Sequence, residues 1–219
     1  MAAIRIPKRS NHPAVGDNLT GYYHLPLIRY FFLKRLRLVL DLLGERHFGS
    51  ILEIGFGIGV LLPELSSRAT HLYGMDIHDS IGKVGQMLEK EGIKTALTRG
   101  DILHLPFDDE TFDCIVSIAT LEHIKELPVA IFEIKRVLKK GGMAVLAFPI
   151  ANKVSDMLLV LTGSLQAYKK RLREIHPSSH SDILSEIKRQ FGNIRVERFP
   201  VFLPLDFSLY CSCVSTKGD

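Results

Sequence analysis

Ile51-Leu52-Glu53-Ile54-Gly55-Phe56-Gly57-Ile58-Gly59 joins a short apolar run to three glycines at alternate positions. This pattern predicts a parallel strand that ends in a sharp turn, because glycine has no Cβ and lets the backbone approach a ligand closely. A dinucleotide-binding turn has the spacing Gly-x-Gly-x-x-Gly, whereas Gly59 comes one residue early here. Glu53 precedes the first glycine, and a carboxylate in this place repels phosphate and favours a cation.

The same pattern resembles the first motif of class I S-adenosylmethionine-dependent methyltransferases, and the resemblance extends over roughly residues 50 to 150. Four further motifs of that family follow in chain order: residues 73–77 (YGMDI), 99–107 (RGDILHLPF), 112–117 (FDCIVS) with 121–124 (LEHI), and 136–142 (RVLKKGG). One such motif alone is weak, whereas five in order are specific. Phe56 stands where the family more usually has a small residue, and Lys140 stands where the family often has proline.

The resemblance implies an α/β fold, a Rossmann-like doubly wound sheet of seven strands that is mostly parallel and has an antiparallel last strand. A chain of 219 residues with 46% hydrophobic residues is long enough for one such domain. We expect an N-terminal arm over residues 1–27, which proline and glycine punctuate, and a methyltransferase domain over 28–219. Within this domain, residues 151–180 are expected to form a lid insertion over the active-site mouth.

Apolar spacing predicts the helices and strands within this domain. The period of 28–43 and 127–140 is helical, and Gly141 and Gly142 are expected to end the second of these helices. A strand over 143–150 is expected to follow it. Residues 181–191 predict a capped helix, and 193–199 and 207–214 predict the last two strands.

The resemblance also implies a binding site for S-adenosylmethionine. Asp76, at the tip of the second strand, would accept hydrogen bonds from both ribose hydroxyls, although a helix N-cap is an alternative role. By resemblance, Asp101 accepts the adenine amino group and the Ile102 N–H bonds a ring nitrogen. The full set of expected cofactor-binding residues is Glu53, Gly55, Gly57, Gly59, Asp76, Ile77, Asp101, Ile102 and Ile118.

The acceptor side of the site is less specified by the sequence. His123 lies in the loop after a predicted buried strand and is a candidate for proton transfer, since its pKa is ordinarily near neutral. A residue that shapes the pocket is the alternative. Tyr22, Tyr23, His176 and His180 are candidate substrate-binding residues, and the two tyrosines have simple packing of the arm as their alternative.

Composition and residue spacing argue against several other classes of protein and site. The net charge is only +4 and the basic residues are dispersed, which favours solvated helix faces over a nucleic-acid surface. The three cysteines fit neither a disulfide nor a metal pattern, and they predict reduced thiols in the cytoplasm. No stretch has the length of a membrane span, so stable membrane insertion is not expected. The nine histidines are dispersed, so the sequence predicts no metal site.

The sequence therefore predicts an enzyme that transfers a methyl group from S-adenosylmethionine to a small or lipophilic acceptor, as a monomer or homodimer. One alternative is a catalytically idle module that binds the cofactor or its product and acts through a partner. A nicotinamide-dependent dehydrogenase is a further alternative, which the early Gly59 disfavours.

Overall fold

The computed structural model describes residue 4, residues 26–150, residue 152 and residues 176–218. The N-terminal arm predicted over 1–27 and the lid predicted over 151–180 therefore lie mostly outside the described residues. Tyr22 and Tyr23 also lie outside them.

Seven strands in the described part of the chain form one sheet. They are β1 (Phe48–Ile54), β2 (Ala69–Asp76), β3 (Ala96–Arg99), β4 (Phe112–Ile118), β5 (Leu138–Pro149), β6 (Arg195–Phe199) and β7 (Tyr210–Thr216). Their order is β3-β2-β1-β4-β5-β7-β6, and only β7 runs antiparallel to its neighbours. The predicted Rossmann-like fold is confirmed. The strand order reverses between β1 and β4, and open α/β sheets bind ligands outside the carboxyl ends of the strands at such a point.

Helices cover both faces of the sheet. In the described residues they are α1 (Pro26–Leu43), α2 (Leu62–Ser66), α3 (Ile81–Lys90), α4 (Leu127–Val137) and α5 (His180–Phe191), with 3-10 turns at Leu121–His123 and Leu205–Phe207. The start of α5 has a capping box, in which the side chains of Ser179 and Asp182 bond each other's backbone N–H. Gly192 ends this helix with a φ of 79°, as a left-handed C-terminal residue does.

The boundary between α4 and β5 differs from the sequence prediction. The helix ends at Val137 and the strand begins at Leu138, so the Gly141–Gly142 pair lies inside a strand and does not end a helix. Leu138 pairs with Phe112 of β4. Beyond it, the Gly141 N–H donates to the Lys217 carbonyl over 2.9 Å, and the Lys217 N–H donates to the Gly142 carbonyl over 3.0 Å. Pairing with distant residues overrides the local helical period here.

The core consists of two clusters of buried apolar side chains, one on each face of the sheet. The central strands supply both clusters by alternation: Ile51 and Val116 belong to one, and Leu52 and Ile115 to the other. All three cysteines, Cys114, Cys211 and Cys213, are free thiols buried in β4 and β7. Among the described residues, no helix is both long enough and apolar enough to span a bilayer.

Candidate functional site

The glycine loop follows β1 directly, at the carboxyl edge of the sheet. Gly55, Gly57 and Gly59 have φ values of 74°, 54° and 75°, which residues with a Cβ seldom adopt. The Gly55 N–H donates to the Met75 carbonyl over 2.8 Å, which ties the loop to the end of β2. A Cβ built at Gly57 meets no described atom within 4 Å. The backbone at Gly57 is therefore accessible to a ligand.

Replacing Gly55 by alanine is expected to lower the free energy of unfolding by about 2 kcal/mol, because it adds both left-handed strain and an overlap. A Cβ at Gly55 would lie 2.1 Å from Thr120 Oγ1, so the threonine side chain has to move. Gly44→Ala is the matched control, since Gly44 has a φ of 63° but a Cβ there meets no described atom within 4 Å. Chemical denaturation measures both variants, and equal losses would contradict a steric role for Thr120.

Glu53 lies at the end of β1 and is only 4% exposed. Its Oε2 atom has no hydrogen-bond partner in the described part of the chain. Burial and, to a lesser extent, the nearby charge of Asp76 raise the pKa of Glu53 to about 8, against the opposing charge of Arg35 on α1. A buried carboxyl oxygen without a partner is costly, and a cationic ligand group that reaches it would offset this cost. The residue therefore fits the ammonium group of S-adenosylmethionine.

Asp76 connects the glycine loop with the ends of β2 and β3. Its Oδ2 accepts the Gly57 N–H over 2.7 Å, and its Oδ1 accepts the Ile77 N–H over 2.7 Å. The Gly100 N–H donates to the Asp76 carbonyl over 3.0 Å. Ser80, and not Asp76, occupies the N-cap position of α3, so the alternative role as a cap is wrong. The ribose role of Asp76 stays a prediction.

The expected adenine site divides into accessible and buried residues. Asp101 is exposed, and its Oδ1 accepts the Leu103 N–H over 3.0 Å. The Ile77 side chain is 64% exposed, so it is available to cover an adenine face. In contrast, the side chains of Ile102 and Ile118 are buried, and Ile102 packs in the core with Leu105. Only the backbone of Ile102 is therefore a candidate contact.

His78 belongs to this site but was not predicted from the sequence. Its Nδ1 accepts the Ser80 N–H over 3.0 Å, so in the neutral ring the proton lies on Nε2, which donates to the Gly57 carbonyl over 2.8 Å. The ring also packs edge-on against Phe56, with 5.4 Å between centroids. His78 thus ties the glycine loop at Gly57 to the start of α3 at Ser80. The motif at residues 73–77 ends before His78, so it gave no indication of a role for this histidine.

Arg35 is the second functional candidate that the sequence reasoning missed, because its helix precedes the motifs. Its guanidinium lies over the Phe32 ring, with 4.3 Å between Cζ and the centroid. Its charge opposes the increase that burial causes in the pKa values of Glu53 and Glu122. Helix α1 therefore brings one positive charge toward two buried carboxyl groups.

The turn after β4 forms the other side of the site. Ala119 has a φ of 55°, an uncommon conformation for a residue with a Cβ, and the 3-10 turn Leu121–His123 follows it. Glu122 is 3% exposed, and its Oε2 has no hydrogen-bond partner among the described residues. Burial raises the pKa of Glu122 to about 7, although its own backbone N–H and Arg35 oppose the shift.

The two histidines expected to bind substrate lie in different surroundings. His176 is half-buried and packs against His123, with ring centroids 4.8 Å apart. Burial, together with the nearby His123, lowers the pKa of His176 to about 4. His180 instead begins α5, and its Nε2 lies 3.1 Å from Oδ1 of the exposed Asp206. The structure therefore brings His176 and His123 together, whereas the described partner of His180 lies elsewhere.

Comparisons with known proteins agree with this geometry. The family model described as "Methyltransferase domain" matches residues 52–146, which include the glycine loop, Asp76 and His123. The demethylmenaquinone methyltransferase of Staphylococcus aureus is 30% identical over 205 residues, which are 84% of this chain and 85% of that protein. The chain belongs to the class I S-adenosylmethionine-dependent methyltransferases. The cofactor of this methyltransferase is S-adenosylmethionine.

Two further comparisons qualify the relationship. The phosphatidylethanolamine N-methyltransferase of Cereibacter sphaeroides is 30% identical over 143 residues, which are 63% of this chain and 66% of that protein. The chain spans between 28% and 66% of the length of the first three curated relatives that it matches. The crystal structure of the YcgJ protein from Bacillus subtilis covers 85% of this chain and 99% of its own, with a TM-score of 0.66 and 17% identity. That similarity concerns the fold alone.

Proposed function

We propose that the protein transfers a methyl group from S-adenosylmethionine to a small lipophilic acceptor. The observation that supports this most directly is the buried Glu53 carboxyl, which has an unpartnered oxygen at the tip of β1 beside an accessible glycine loop. The names of two relatives refer to demethylmenaquinone and phosphatidylethanolamine, both of them lipophilic molecules. They support an acceptor of that class.

The cofactor residues divide by the part of S-adenosylmethionine that each would bind. Glu53 would bind the ammonium group, and Asp76 the ribose hydroxyls, because a carboxylate can accept a hydrogen bond from each hydroxyl. Asp101 would accept from the adenine amino group, and Ile77 would cover one face of the ring. The accessible backbone of the glycine loop would then contact the methionine portion.

When it is bound, S-adenosylmethionine supplies an activated methyl group on a cationic sulfur. The protein has to align the acceptor with the carbon–sulfur bond and exclude water, since an in-line displacement depends mainly on orientation. We place the acceptor beside the turn that contains Glu122 and His123, because this turn follows β4 at the same edge of the sheet as the glycine loop. A proton-transfer role for His123 stays a prediction.

A transfer assay with S-adenosylmethionine labelled in its methyl group tests the proposal. The full chain is incubated with detergent-solubilised demethylmenaquinone or phosphatidylethanolamine, and with water-soluble amines for comparison. We expect label in the organic phase only when a lipophilic acceptor is present. Glu89→Gln, on the exposed side of α3, serves as a control variant with unchanged transfer.

Two outcomes would contradict the proposal. Label that enters only the water-soluble acceptors would refute the lipophilic acceptor class. Tight binding of S-adenosylhomocysteine without transfer to any acceptor would favour the alternative of an idle binding module.

A further inference from the structure

Three potential metal ligands meet on the acceptor side of the site, although His176 is distant in the sequence from the adjacent Glu122 and His123. Glu122 and His123 lie on the 3-10 turn after β4, and His176 precedes α5. One ligand atom from each residue lies within 4.8 Å of the other two. Glu122 Oε1 and His123 Nε2 are 4.0 Å apart. Dispersed histidines in the sequence gave no indication of this cluster.

Hydrogen bonds fix the two segments that supply these ligands. The Ser178 N–H donates to the Glu122 carbonyl over 3.4 Å, and the Ser178 hydroxyl donates to the Ile124 carbonyl over 2.5 Å. Ser178 itself is buried. The proximity of His176 to the turn is therefore set by contacts of the adjacent chain, and it does not depend only on side-chain rotamers.

The buried carboxyl group is an independent sign that a ligand belongs here. Glu122 is 3% exposed, and its Oε2 has no hydrogen-bond partner in the described ranges. A polar atom that is buried without a partner destabilises the fold, and more so when it is charged. A metal ion coordinated by this oxygen would offset the cost. The two imidazoles beside it supply ring nitrogen atoms, which are common ligands of divalent transition metals.

The number and kind of donors agree with a catalytic metal site. Two histidines and one carboxylate are a donor set for Zn²⁺ and Fe²⁺, and three protein ligands leave positions open for water or substrate. Zinc bonds of about 2.0 to 2.2 Å place tetrahedral ligand atoms roughly 3.4 Å apart. The ligand atoms, within 4.8 Å of one another, therefore have to approach by at most about 1.4 Å, which side-chain rotation can supply.

We propose that Glu122, His123 and His176 bind one divalent transition-metal ion at the acceptor end of the site. In this arrangement His123 is a metal ligand, in place of the proton-transfer role that the sequence predicts. The ion's open positions would hold an oxygen atom of the methyl acceptor, and this second part rests on the proposed function. Binding of the metal does not depend on methyl transfer.

Metal titration of the full chain tests the site. The protein is stripped with a chelator, and Zn²⁺ is then titrated in competition with a chromophoric chelator, while Co²⁺ provides a visible spectrum of the coordinated ion. We expect one ion per chain. His176→Ala and the isosteric Glu122→Gln are each expected to weaken Zn²⁺ binding at least 10-fold, since even outer-shell losses cost about 10- to 100-fold.

A surface histidine controls for nonspecific binding. His71 is exposed near the start of β2, at the end of the strand remote from Asp76, and His71→Gln is expected to bind Zn²⁺ like the unchanged protein. Thermal unfolding identifies any variant that has lost its fold, and Glu122→Gln, which keeps the shape of the side chain, then decides. No bound ion, or equal affinity in the folded Glu122→Gln variant, would overturn the proposal.

The same preparations separate this inference from the proposed function. Stripped protein that binds S-adenosylhomocysteine and transfers methyl groups, but takes up no Zn²⁺, refutes only the metal site. Protein that binds one Zn²⁺ ion through His176 but transfers no methyl group supports the metal site and contradicts the proposed function.

Discussion

Asp76→Asn is expected to weaken binding of S-adenosylhomocysteine about 100-fold. A hydrogen bond to a charged acceptor contributes about 1.5 to 3 kcal/mol. Asparagine weakens both bonds from the ribose hydroxyls without removing them completely, and a combined loss of roughly 2.7 kcal/mol corresponds to about 100-fold in affinity. The side chain has a second role, because it also accepts the N–H groups of Gly57 and Ile77. Asparagine can satisfy only one of these two donors through its oxygen. The glycine loop should therefore become less ordered as well.

Calorimetric titration measures the affinity, and Asp79→Asn is the matched control. Asp79 lies three residues further along the chain and pairs with Arg99 over 2.7 Å, but both side chains are well exposed. Such a surface pair contributes little, so Asp79→Asn should bind within twofold of the original protein, about 0.4 kcal/mol. An Asp76→Asn variant that is folded and binds equally well would remove Asp76 from the cofactor site.

Binding of S-adenosylhomocysteine at pH 6.5 is expected to release close to one proton from Glu53. Burial, assisted by Asp76, raises the pKa of this carboxyl to about 8, so at pH 6.5 it is protonated in the ligand-free protein. The ligand's ammonium group favours the carboxylate, and the proton leaves when the pair forms. The ligand's own amine remains fully protonated at this pH, because α-amino groups titrate near pH 7.7 to 8.0.

The same coupling makes the affinity depend on pH. Below about pH 8 the affinity for S-adenosylhomocysteine should increase about 10-fold for each unit by which the pH increases, because only the ionised Glu53 carboxyl pairs with the ligand's ammonium group. Titrations in buffers with different ionisation enthalpies count the released protons. Glu53→Gln should release none and should lose the pH dependence, whereas Glu89→Gln, exposed on α3, should retain both. Equal proton release by the Glu53→Gln variant would exclude Glu53 as the source.

Glu53 also makes the stability of the ligand-free protein depend on pH. In the unfolded chain a glutamate loses its proton near pH 4.5, whereas folded Glu53 retains it up to about pH 8. The folded state therefore binds more protons within this window, and its free energy of unfolding decreases as the pH rises from about 4.5 to about 8. Saturating ligand should reduce this decrease, since it stabilises the ionised carboxyl.

The central strands, and the position of Glu53 and Asp76 at the ends of two of them, could be predicted from the sequence because the signals are local. The run before Gly55 is apolar, and Asp76 directly ends the next strand, so spacing alone places both at one edge of a parallel sheet. The end of α4 could not be predicted in this way. Its boundary depends on the pairing of Leu138 with Phe112 and on hydrogen bonds to Lys217.

The residues on the acceptor side of the site also could not be predicted from local sequence patterns. His123 lies within a motif, but its neighbour His176 comes from a segment that no motif includes, and Ser178 fixes it through contacts with the turn. Arg35 reaches Glu53 and Glu122 from a helix that looks only amphipathic in the sequence. Tertiary packing assembles this part of the site, and local periodicity contains no information about it.

The buried cysteines give the protein an internal reporter of strand opening. Burial raises the pKa values of all three thiols, that of Cys211 to about 12, so almost no reactive thiolate is present in the closed fold. An alkylating reagent then modifies a cysteine only when its strand separates from the sheet. Cys114 reports on the sheet centre, and Cys211 and Cys213 report on the antiparallel strand β7. Mass spectrometry of the alkylated peptides thus resolves whether these two regions open together.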